Sequence, residues 1–214
     1  MQLRSTSFSD QQPIPERYAF CKIDPRSRVD LSENLSPQLA WSNAPENTRS
    51  FVLICHDPDA PSKPDDVNVE DREISADLPR VDFYHWALID IDPSVNEIAE
   101  GEFSRGVTPR GKAGPTAPRN MRHGVNDYTS WFASDRDMNG DYYGYDGPCP
   151  PWNDSVVHRY VFTVYALDID TLPLEGKFTG PDVVKALEGH VLAKASLTGL
   201  YTLNPRLRGQ ESSG

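Results

Sequence analysis

The feature that most constrains the fold is a set of short apolar segments, rich in β-branched and aromatic residues and bounded by proline, glycine or acidic residues. Phe51 to Cys55 is continuously apolar and too short for a helix, so it predicts a strand buried on both faces. Phe83 to Ile91 and Arg159 to Leu167 predict two more strands of this kind. Strand alternation places His158, at the entrance of the last strand, on the same face as Tyr160. The pattern therefore predicts a mainly β fold.

One late segment has helical spacing. It begins near Pro181, and its spaced residues are Val183, Val184, Leu187 and Val191, with Lys194 at its end. Thr198 to Leu203 then predicts a final strand, and residues 61–80 and 101–139 predict long loops. We predict one domain over residues 1–214, with flexible ends at 1–15 and 206–214.

Charge and composition exclude several classes of function. The chain has 21 basic and 32 acidic side chains, a net charge of −11, which disfavours nucleic acid and anionic lipid as partners. No segment is long and apolar enough to predict a transmembrane helix, and residues 1–10 lack the apolar core of a signal peptide, so we expect a cytoplasmic protein. The three cysteines, Cys21, Cys55 and Cys149, are widely spaced without a CxxC pair, which argues against a disulfide framework and a zinc site.

Three predicted strands carry polar side chains suited to anion binding. Asp57 and Asp59 follow the first strand, and each precedes a proline that holds it extended. His85 lies inside the second strand and His158 enters the third. If they converge, an Asp–His hydrogen bond would favour the imidazolium, raise its pKa above about 6.5 and create an anion receptor. The structural alternatives are aspartates that cap a strand exit and a histidine satisfied within the core.

The turn from Gly147 to Pro151 (GPCPP) predicts a rigid wall. Its glycine and cysteine amides could face an anion, while Pro150 and Pro151 exclude water; a plain hairpin connection is the alternative. Cys149 with a nearby histidine suggests a nucleophile, but no feature supplies an oxyanion hole. Two His and two Asp permit a metal site, although no short His spacing supports one. A local basic run predicts either a solvated loop or a docking surface; it comprises Arg105, Arg110, Lys112, Arg119 and Arg122.

Several motifs in chain order resemble the phosphatidylethanolamine-binding protein family, also called Raf kinase inhibitor-like proteins. They are SPQLAW at 36–41, RSFVLICHDPDAP at 49–61, His85-Trp86, GPCPP at 147–151 and HRY at 158–160. GVNDY at 124–128 and ASLTG at 195–199 are similar to the bacterial and archaeal branch. The resemblance extends from about Asn34 to Tyr201.

The resemblance implies a large central antiparallel sheet, a smaller sheet and a short C-terminal helix. It also implies a small pocket for phosphate, acetate or phospho-head-group anions. The residues that correspond to this pocket are Asp57, Asp59, His85, Gly147, Pro150, Pro151 and His158. The family implies no catalytic residues, no cofactor and no metal, and relatives of the bacterial type suggest a homodimer.

Two stretches depart from the family pattern: a first insertion at 61–80 and a second insertion at 130–143, both expected near the pocket mouth. The second is a candidate lid or dimer contact. We expect a non-enzymatic binding protein for a small phosphate-type anion, with a possible kinase or protease as protein partner. The alternatives are a hydrolase using Cys149 or an Asp–His pair, and a kinase or protease inhibitor acting through the long loops.

Overall fold

The computed structural model describes residues 1–208. It contains eleven strands within that range: β1 Gln2–Arg4, β2 Gln12–Pro13, β3 Cys21–Asp24, β4 Arg28–Leu31, β5 Leu39–Ser42, β6 Ser50–Pro61, β7 Arg80–Ile91, β8 Glu97–Ile98, β9 Arg122–His123, β10 His158–Leu167 and β11 Val191–Tyr201. The α-helices are short: α1 Tyr128–Trp131, α2 Gly180–Ala186 and α3 Pro205–Arg208. Single 3₁₀ turns lie at Glu16–Tyr18 and Pro118–Asn120. Among these helices, none is both long and apolar enough to cross a membrane.

A six-stranded sheet forms the centre, in the order β2-β11-β10-β6-β7-β9. Its central pairs are antiparallel, and β2 joins the edge of β11 in parallel. Two smaller sheets contain β1-β5-β8 and β3-β4. The predicted mainly β fold with one large sheet is confirmed, and the three strands predicted from apolar runs are its adjacent strands β10, β6 and β7.

Strand β6 is buried on both faces, as predicted. Leu53 and Cys55 contact the large hydrophobic core, whereas Val52 and Ile54 face a smaller cluster under α2. Cross-strand packing on both sides of a strand favours β-branched and aromatic side chains, which explains the composition of this run. The sheet therefore fixes the second half of β6 between the start of β10 and the first half of β7, with Asp57 opposite Phe83.

Helix α2 is shorter than its sequence pattern predicted. Thr179 and Asp182 form a reciprocal capping box at its start. The helix ends at Ala186, and Gly189 then adopts φ +82°, a left-handed conformation that suits glycine. The chain reverses, and Val191 pairs with Leu167 as the first residue of β11. The expectation that the helix reaches Lys194 was wrong because this turn starts the last strand seven residues earlier than expected.

The two chain ends are more ordered than expected within the described range. Residues 1–15 contribute β1 and β2, which pair with β5 and β11. At the other end Arg208, in α3, forms an ion pair with Glu16 at 2.8 Å. Part of the predicted tail, residues 209–214, lies outside the described residues.

A disulfide joins Cys21 of β3 to Cys149 of the GPCPP turn. The prediction that the cysteines form no disulfide was wrong for this pair. The amides of Phe20 and Cys21 both donate to the carbonyl of Pro148, at 2.9 and 3.1 Å, and this pairing brings the two sulfurs together across 128 residues of sequence. Cys55 is a buried free thiol.

Candidate functional site

A cavity of about 640 Å³ opens beside the end of β6 and contains most of the predicted binding residues. Asp57 comes from β6, His85 from β7 and His158 from β10, and Pro150 and Pro151 form part of the wall. We call this cavity the Asp57 pocket. Three adjacent strands thus bring together one carboxylate and two imidazoles, the convergence on which the sequence-based hypothesis depended.

His158 is held between two carboxylates. Its Nδ1 lies 2.6 Å from Asp57 Oδ2 and its Nε2 lies 3.1 Å from Asp154 Oδ2, and all three side chains are buried. Burial alone would lower the pKa of His158, but the charge of Asp57 and the hydrogen bonds from both carboxylates outweigh it and raise the pKa to about 9. His158 is therefore an imidazolium at neutral pH, and both of its N–H groups are already engaged.

The pKa of His85 is shifted in the opposite direction from that of His158. Its Nδ1 donates to the backbone carbonyl of Asp146 at 2.7 Å, because a carbonyl can only accept. The rings of Phe83, Tyr160 and Tyr128 surround it, with centroids at 4.9, 5.1 and 5.6 Å. Burial lowers the pKa of His85 to about 4, against the opposing charge of Asp57. The expected upward shift is thus present at His158 and wrong for His85, since no carboxylate among residues 1–208 forms a hydrogen bond with the His85 ring.

Asp59 does not line the pocket. Its carboxylate binds the Arg159 guanidinium through two oxygens, at 2.7 and 2.9 Å, and accepts the Arg159 amide at 2.9 Å. These bonds lower the pKa of Asp59 although burial opposes them. The Asp59 amide donates to Asp57 Oδ1 at 2.7 Å, a local Asx turn that orients the pocket carboxylate. Asp59 therefore fits the structural alternative of a capped strand exit.

Gly147 also lies outside the pocket lining. Its amide donates to Asn34 Oδ1 at 2.8 Å, so this N–H is not available to an anion. A Cβ at position 147 would lie 2.1 Å from the Tyr18 carbonyl oxygen, which explains why the turn has glycine here. The predicted wall is provided by Pro150 and Pro151, while Gly147 allows the turn to pack against the backbone of residues 18–19.

Sequence reasoning missed two polar residues of the site. Asp154 holds the second nitrogen of His158 and binds Arg80 through two oxygens, at 2.6 and 3.0 Å. Its spacing of four residues before His158 is the only sequence signal for this contact. Tyr160 lines the pocket and is 1% exposed, and its hydroxyl has no hydrogen-bond partner among residues 1–208. Its position two residues after His158 on one strand face would have indicated it.

Both insertions form walls of the pocket. Pro64 and Val67 of the first insertion line the cavity, as do Trp131, Phe132 and Met138 of the second. They give the cavity a mostly apolar and aromatic interior around the polar side chains of β6, β7 and β10.

Each insertion is anchored to the rest of the domain. The Asn153 side chain donates to three carbonyls of the first insertion, those of Asp66, Val69 and Arg72, at 2.7 to 3.3 Å. In the second insertion Tyr142 is fully buried in the core. The second insertion is therefore a packed part of the domain, and its expected role as a lid or dimer contact stays a prediction.

The pocket mouth carries exposed apolar side chains. Leu31, Val81 and Trp131 line the cavity and are 50%, 47% and 47% exposed. Each lies on a different element, β4, β7 and α1. Such a concentration of apolar surface at a cavity entrance suits contact with an apolar part of a ligand or partner.

Three of the five residues of the basic run form ion pairs within the chain. Lys112 binds Asp146 at 2.6 Å. The other ion pairs are Arg119–Glu102 and Arg122–Asp90, both at 2.5 Å. None of these cations lines the Asp57 pocket, so these three basic residues serve as internal ion pairs. In the described part of the chain, no three His, Cys, Asp or Glu side chains are grouped closely enough to hold a metal ion.

Comparison with known proteins places this geometry in a family. The family model described as phosphatidylethanolamine-binding protein matches residues 4–202. A UPF0098 protein of Methanothermobacter thermautotrophicus is 35% identical over 94% of this chain and 98% of its own length. UPF0098 protein YbhB of Escherichia coli is 29% identical over 94% and 100%.

Two solved structures have a fold similar to that of this chain. The Chlamydia trachomatis protein CT736, a putative phosphatidylethanolamine-binding protein homologue, superposes with a TM-score of 0.61 at 30% identity, covering 94% of this chain and 95% of its own. Escherichia coli YbcL, a member of the mammalian PEBP family, superposes with a TM-score of 0.66 at 24% identity, covering 94% and 97%, and supports the fold. This chain belongs to the phosphatidylethanolamine-binding protein family.

Proposed function

We propose that this chain is a non-enzymatic binding protein whose Asp57 pocket holds a phosphate-type group at its polar end. The observation that carries the proposal is the convergence of Asp57, His85 and His158 at one end of a cavity of about 640 Å³. Ligand pockets typically have this size and combine an apolar lining with a few polar groups that fix orientation. The family description names a phospholipid as the ligand of its members, which supports the same class of head group.

The ligand should extend beyond the phosphate. A water molecule occupies about 30 Å³ of liquid, so a phosphate of five heavy atoms leaves most of the cavity unfilled. The remaining walls are aromatic and apolar, and they continue to Trp131 and Val81 at the mouth. A phosphate that carries an apolar or aromatic substituent would bury that surface and satisfy the polar end together.

Two contacts support binding without catalysis. The sulfur of Cys149 is bonded to Cys21, so it is not a free thiolate in this structure. His158 has both nitrogens engaged by carboxylates, so it is not free to remove a proton from a substrate. The hydrolase alternative would depend on His85, which lines the cavity and uses only Nδ1 in a hydrogen bond within the described residues. A panel of chromogenic esters and phosphoesters tests it: turnover abolished by His85→Ala would establish catalysis.

Inhibition of a kinase or protease is the second candidate, and the exposed apolar residues at the mouth favour it. Deletion of the second insertion would remove the buried Tyr142 and disturb the core, so it is a poor test. Trp131→Ser is sharper because half of that side chain is exposed. Loss of inhibition in Trp131→Ser, with an unchanged thermal unfolding temperature, would support an inhibitory surface.

Titration calorimetry tests the binding proposal. Inorganic phosphate, phosphoethanolamine and phenyl phosphate are titrated into the wild type, Asp57→Ala and Asp168→Ala. Asp168 is exposed and contacts His190 at the other end of β10, which makes it a matched control. Binding that is lost in Asp57→Ala and retained in Asp168→Ala supports the proposal; no binding at millimolar concentration overturns it.

A homodimer and a cytoplasmic location are also proposals. Light scattering coupled to size exclusion tests the first. For the second, disulfides persist mainly in oxidising compartments and in the cytosol of hyperthermophiles. The disulfide between Cys21 and Cys149 therefore suits a cytoplasmic location only in an organism whose cytosol lets disulfides persist. Alkylation of thiols in freshly lysed cells, followed by mass spectrometry, reports whether this pair is oxidised where the protein resides.

A further inference from the structure

The proposed ligand is an anion, so it needs hydrogen-bond donors from the walls of the Asp57 pocket. Backbone amides are scarce on the wall formed by Pro150 and Pro151, because proline has no N–H group. Side chains must therefore supply much of the donation. The side chains that line the cavity and carry an N–H or O–H group are Asn68, His85, Tyr128, Ser130, Trp131, His158 and Tyr160.

Most of these groups are already engaged within the chain. The hydroxyl groups of Tyr128 and Ser130 each donate to a backbone carbonyl, at 2.8 and 2.9 Å. Both nitrogens of His158 contact carboxylates. His85 is neutral because its pKa is about 4, and its one N–H donates from Nδ1 to a backbone carbonyl. The donors without a partner among residues 1–208 are the Tyr160 hydroxyl, the Asn68 side-chain amide and the Trp131 indole.

Two of the three remaining donors are sheltered from solvent. Trp131 lies at the pocket mouth and is 47% exposed, so water can satisfy its indole N–H. Tyr160 is 1% exposed and Asn68 is partly buried. Of the nearby cations, Arg80 and Arg159 each bind a carboxylate through two hydrogen bonds. An anion in the cavity would therefore depend on the Tyr160 hydroxyl and the Asn68 amide for neutral donors.

The side chain of Asn68 has a fixed orientation. Its Oδ1 accepts the backbone amide of Trp152 at 3.0 Å, which assigns the oxygen to that side and leaves both N–H groups of Nδ2 without a partner in the described range. Nδ2 is not sealed within the protein, and the residue lines the cavity. The backbone at Asn68 has φ +59°, a left-handed conformation that asparagine and aspartate adopt more readily than most residues.

The segment around Asn68 is also held in place. The Asn68 amide donates to Asn153 Oδ1 at 3.0 Å, and the other end of the Asn153 side chain donates to the carbonyl of the adjacent Val69. The Trp152 ring packs under the Arg28 guanidinium, 4.3 Å from the ring centroid. A donor that is ordered before the ligand arrives costs little entropy on binding.

Resting on the proposed function, we propose that Asn68 is a ligand-binding residue whose Nδ2 group donates to a non-bridging oxygen of a phosphate ester. Phosphate monoesters and diesters both have such oxygens, so the contact suits a free phosphate ester and a lipid head group alike. The first insertion departs from the family pattern, so Asn68 gives the pocket a donor that the family motifs do not supply.

The test compares two substitutions of Asn68. Asn68→Asp keeps an oxygen for the Trp152 amide and tolerates the left-handed backbone, but it replaces the donor by a negatively charged oxygen. Asn68→Ala removes both the donor and the acceptor. Calorimetry at pH 7 with phenyl phosphate, a monoester, and methyl phenyl phosphate, a diester, measures the affinities.

A ligand contact predicts that the aspartate variant binds more weakly than the alanine variant. Asn68→Ala should lower the affinity roughly tenfold, and Asn68→Asp roughly 30-fold or more, because like charges then face each other. A purely structural role predicts the reverse order, since only alanine loses the contact with the Trp152 amide. The reverse order would therefore overturn the proposal.

Asn43→Asp is the matched control for the added charge. Asn43 also has a left-handed backbone, with φ +57°, and it is exposed and outside the cavity lining. Its variant should bind both esters within about twofold of the wild type, because salt screens distant surface charges. The loss in Asn68→Asp should persist at about 1 M sodium chloride, where the Debye length is about 3 Å.

The remaining outcomes separate the role of Asn68 from the proposed function. Wild-type affinity in Asn68→Asp, or a loss that disappears at high salt, would overturn the contact and leave phosphate-type binding intact. Failure of both esters to bind the wild type would overturn the proposed function, and the contact with it. A loss seen with the monoester alone supports the contact for a free phosphate ester, whereas an equal loss with the diester supports it for a lipid head group.

Discussion

The imidazolium of His158 predicts that folding stability depends on pH on the alkaline side. His158 is 1% exposed and lies between Asp57 and Asp154. Its pKa rises from 6.5 in the unfolded chain to about 9 in the folded state. A raised pKa contributes stability that is fully present below pH 6.5 and is lost as the pH rises toward 9.

The magnitude follows from the shift. The difference of about 2.5 pKa units corresponds to about 3 kcal/mol at 1.36 kcal/mol per unit. Linkage then predicts that about 1.5 kcal/mol of the free energy of unfolding is lost between pH 7 and pH 8.5, a window that starts above the range in which His85 and His123 take up protons in the unfolded chain. The window ends there because the Cys55 thiol, whose pKa is raised by burial above 9.0, begins to ionise in the unfolded chain at higher pH.

Guanidinium unfolding at pH 7, 7.5, 8 and 8.5 measures this loss. The wild type is compared with His158→Gln, which removes the titrating group, and with His190→Gln, which removes a partly exposed histidine that contacts Asp168. The wild type and His190→Gln should lose about 1.5 kcal/mol over this range. His158→Gln should start lower and show a nearly flat profile. Parallel profiles for all three proteins would show that His158 is not held as an imidazolium and would refute the reasoning.

Three further outcomes are expected. Burial lowers the pKa values of His85 and His123 to about 4, so stability should fall as the pH drops from 6.5 toward 4; a free energy of unfolding constant over that range contradicts this. The double variant Cys21→Ser with Cys149→Ser should lose about 2–5 kcal/mol of the free energy of unfolding, since the bond closes a long loop. Urea unfolding measures this loss, and reductant should not change the stability of the variant. Asn153→Ala should lower the free energy of unfolding by about 1–3 kcal/mol and expose the first insertion to proteolysis, because three carbonyls lose this donor. A rate of cleavage equal to that of the wild type would contradict this prediction.

The sequence was sufficient for features that depend on local pattern. The continuous apolar run at Phe51–Cys55 predicts a strand buried on both faces, and the similar runs around His85 and after His158 predict two more strands of this kind. The pattern does not say which strands are neighbours, so the convergence of Asp57, His85 and His158 was expected only from the family resemblance. The structure makes β10, β6 and β7 adjacent, and this order brings the three residues together.

The charge states of the two histidines could not be predicted in this way. Both enter apolar strands and both reach the same pocket, yet the pKa of His158 is raised and that of His85 is lowered. The difference depends on the partner of each ring: carboxylates from β6 and from residue 154 for His158, and a backbone carbonyl with three aromatic rings for His85. The disulfide and the Asp59–Arg159 pair depend on tertiary contacts in the same way.

A net charge of −11 raises the question of how this chain could hold a phosphate-type group. An excess of cations is not the means, since Arg80, Arg159 and His158 are each matched by a carboxylate next to the pocket. What remains is a buried set of hydrogen-bonding groups, among them the Tyr160 hydroxyl, the His85 ring and the Asp57 carboxylate. Such a set depends on short-range complementarity, which neither salt screening nor the distant surface charge removes. The overall acidity of the chain is therefore compatible with the proposed ligand.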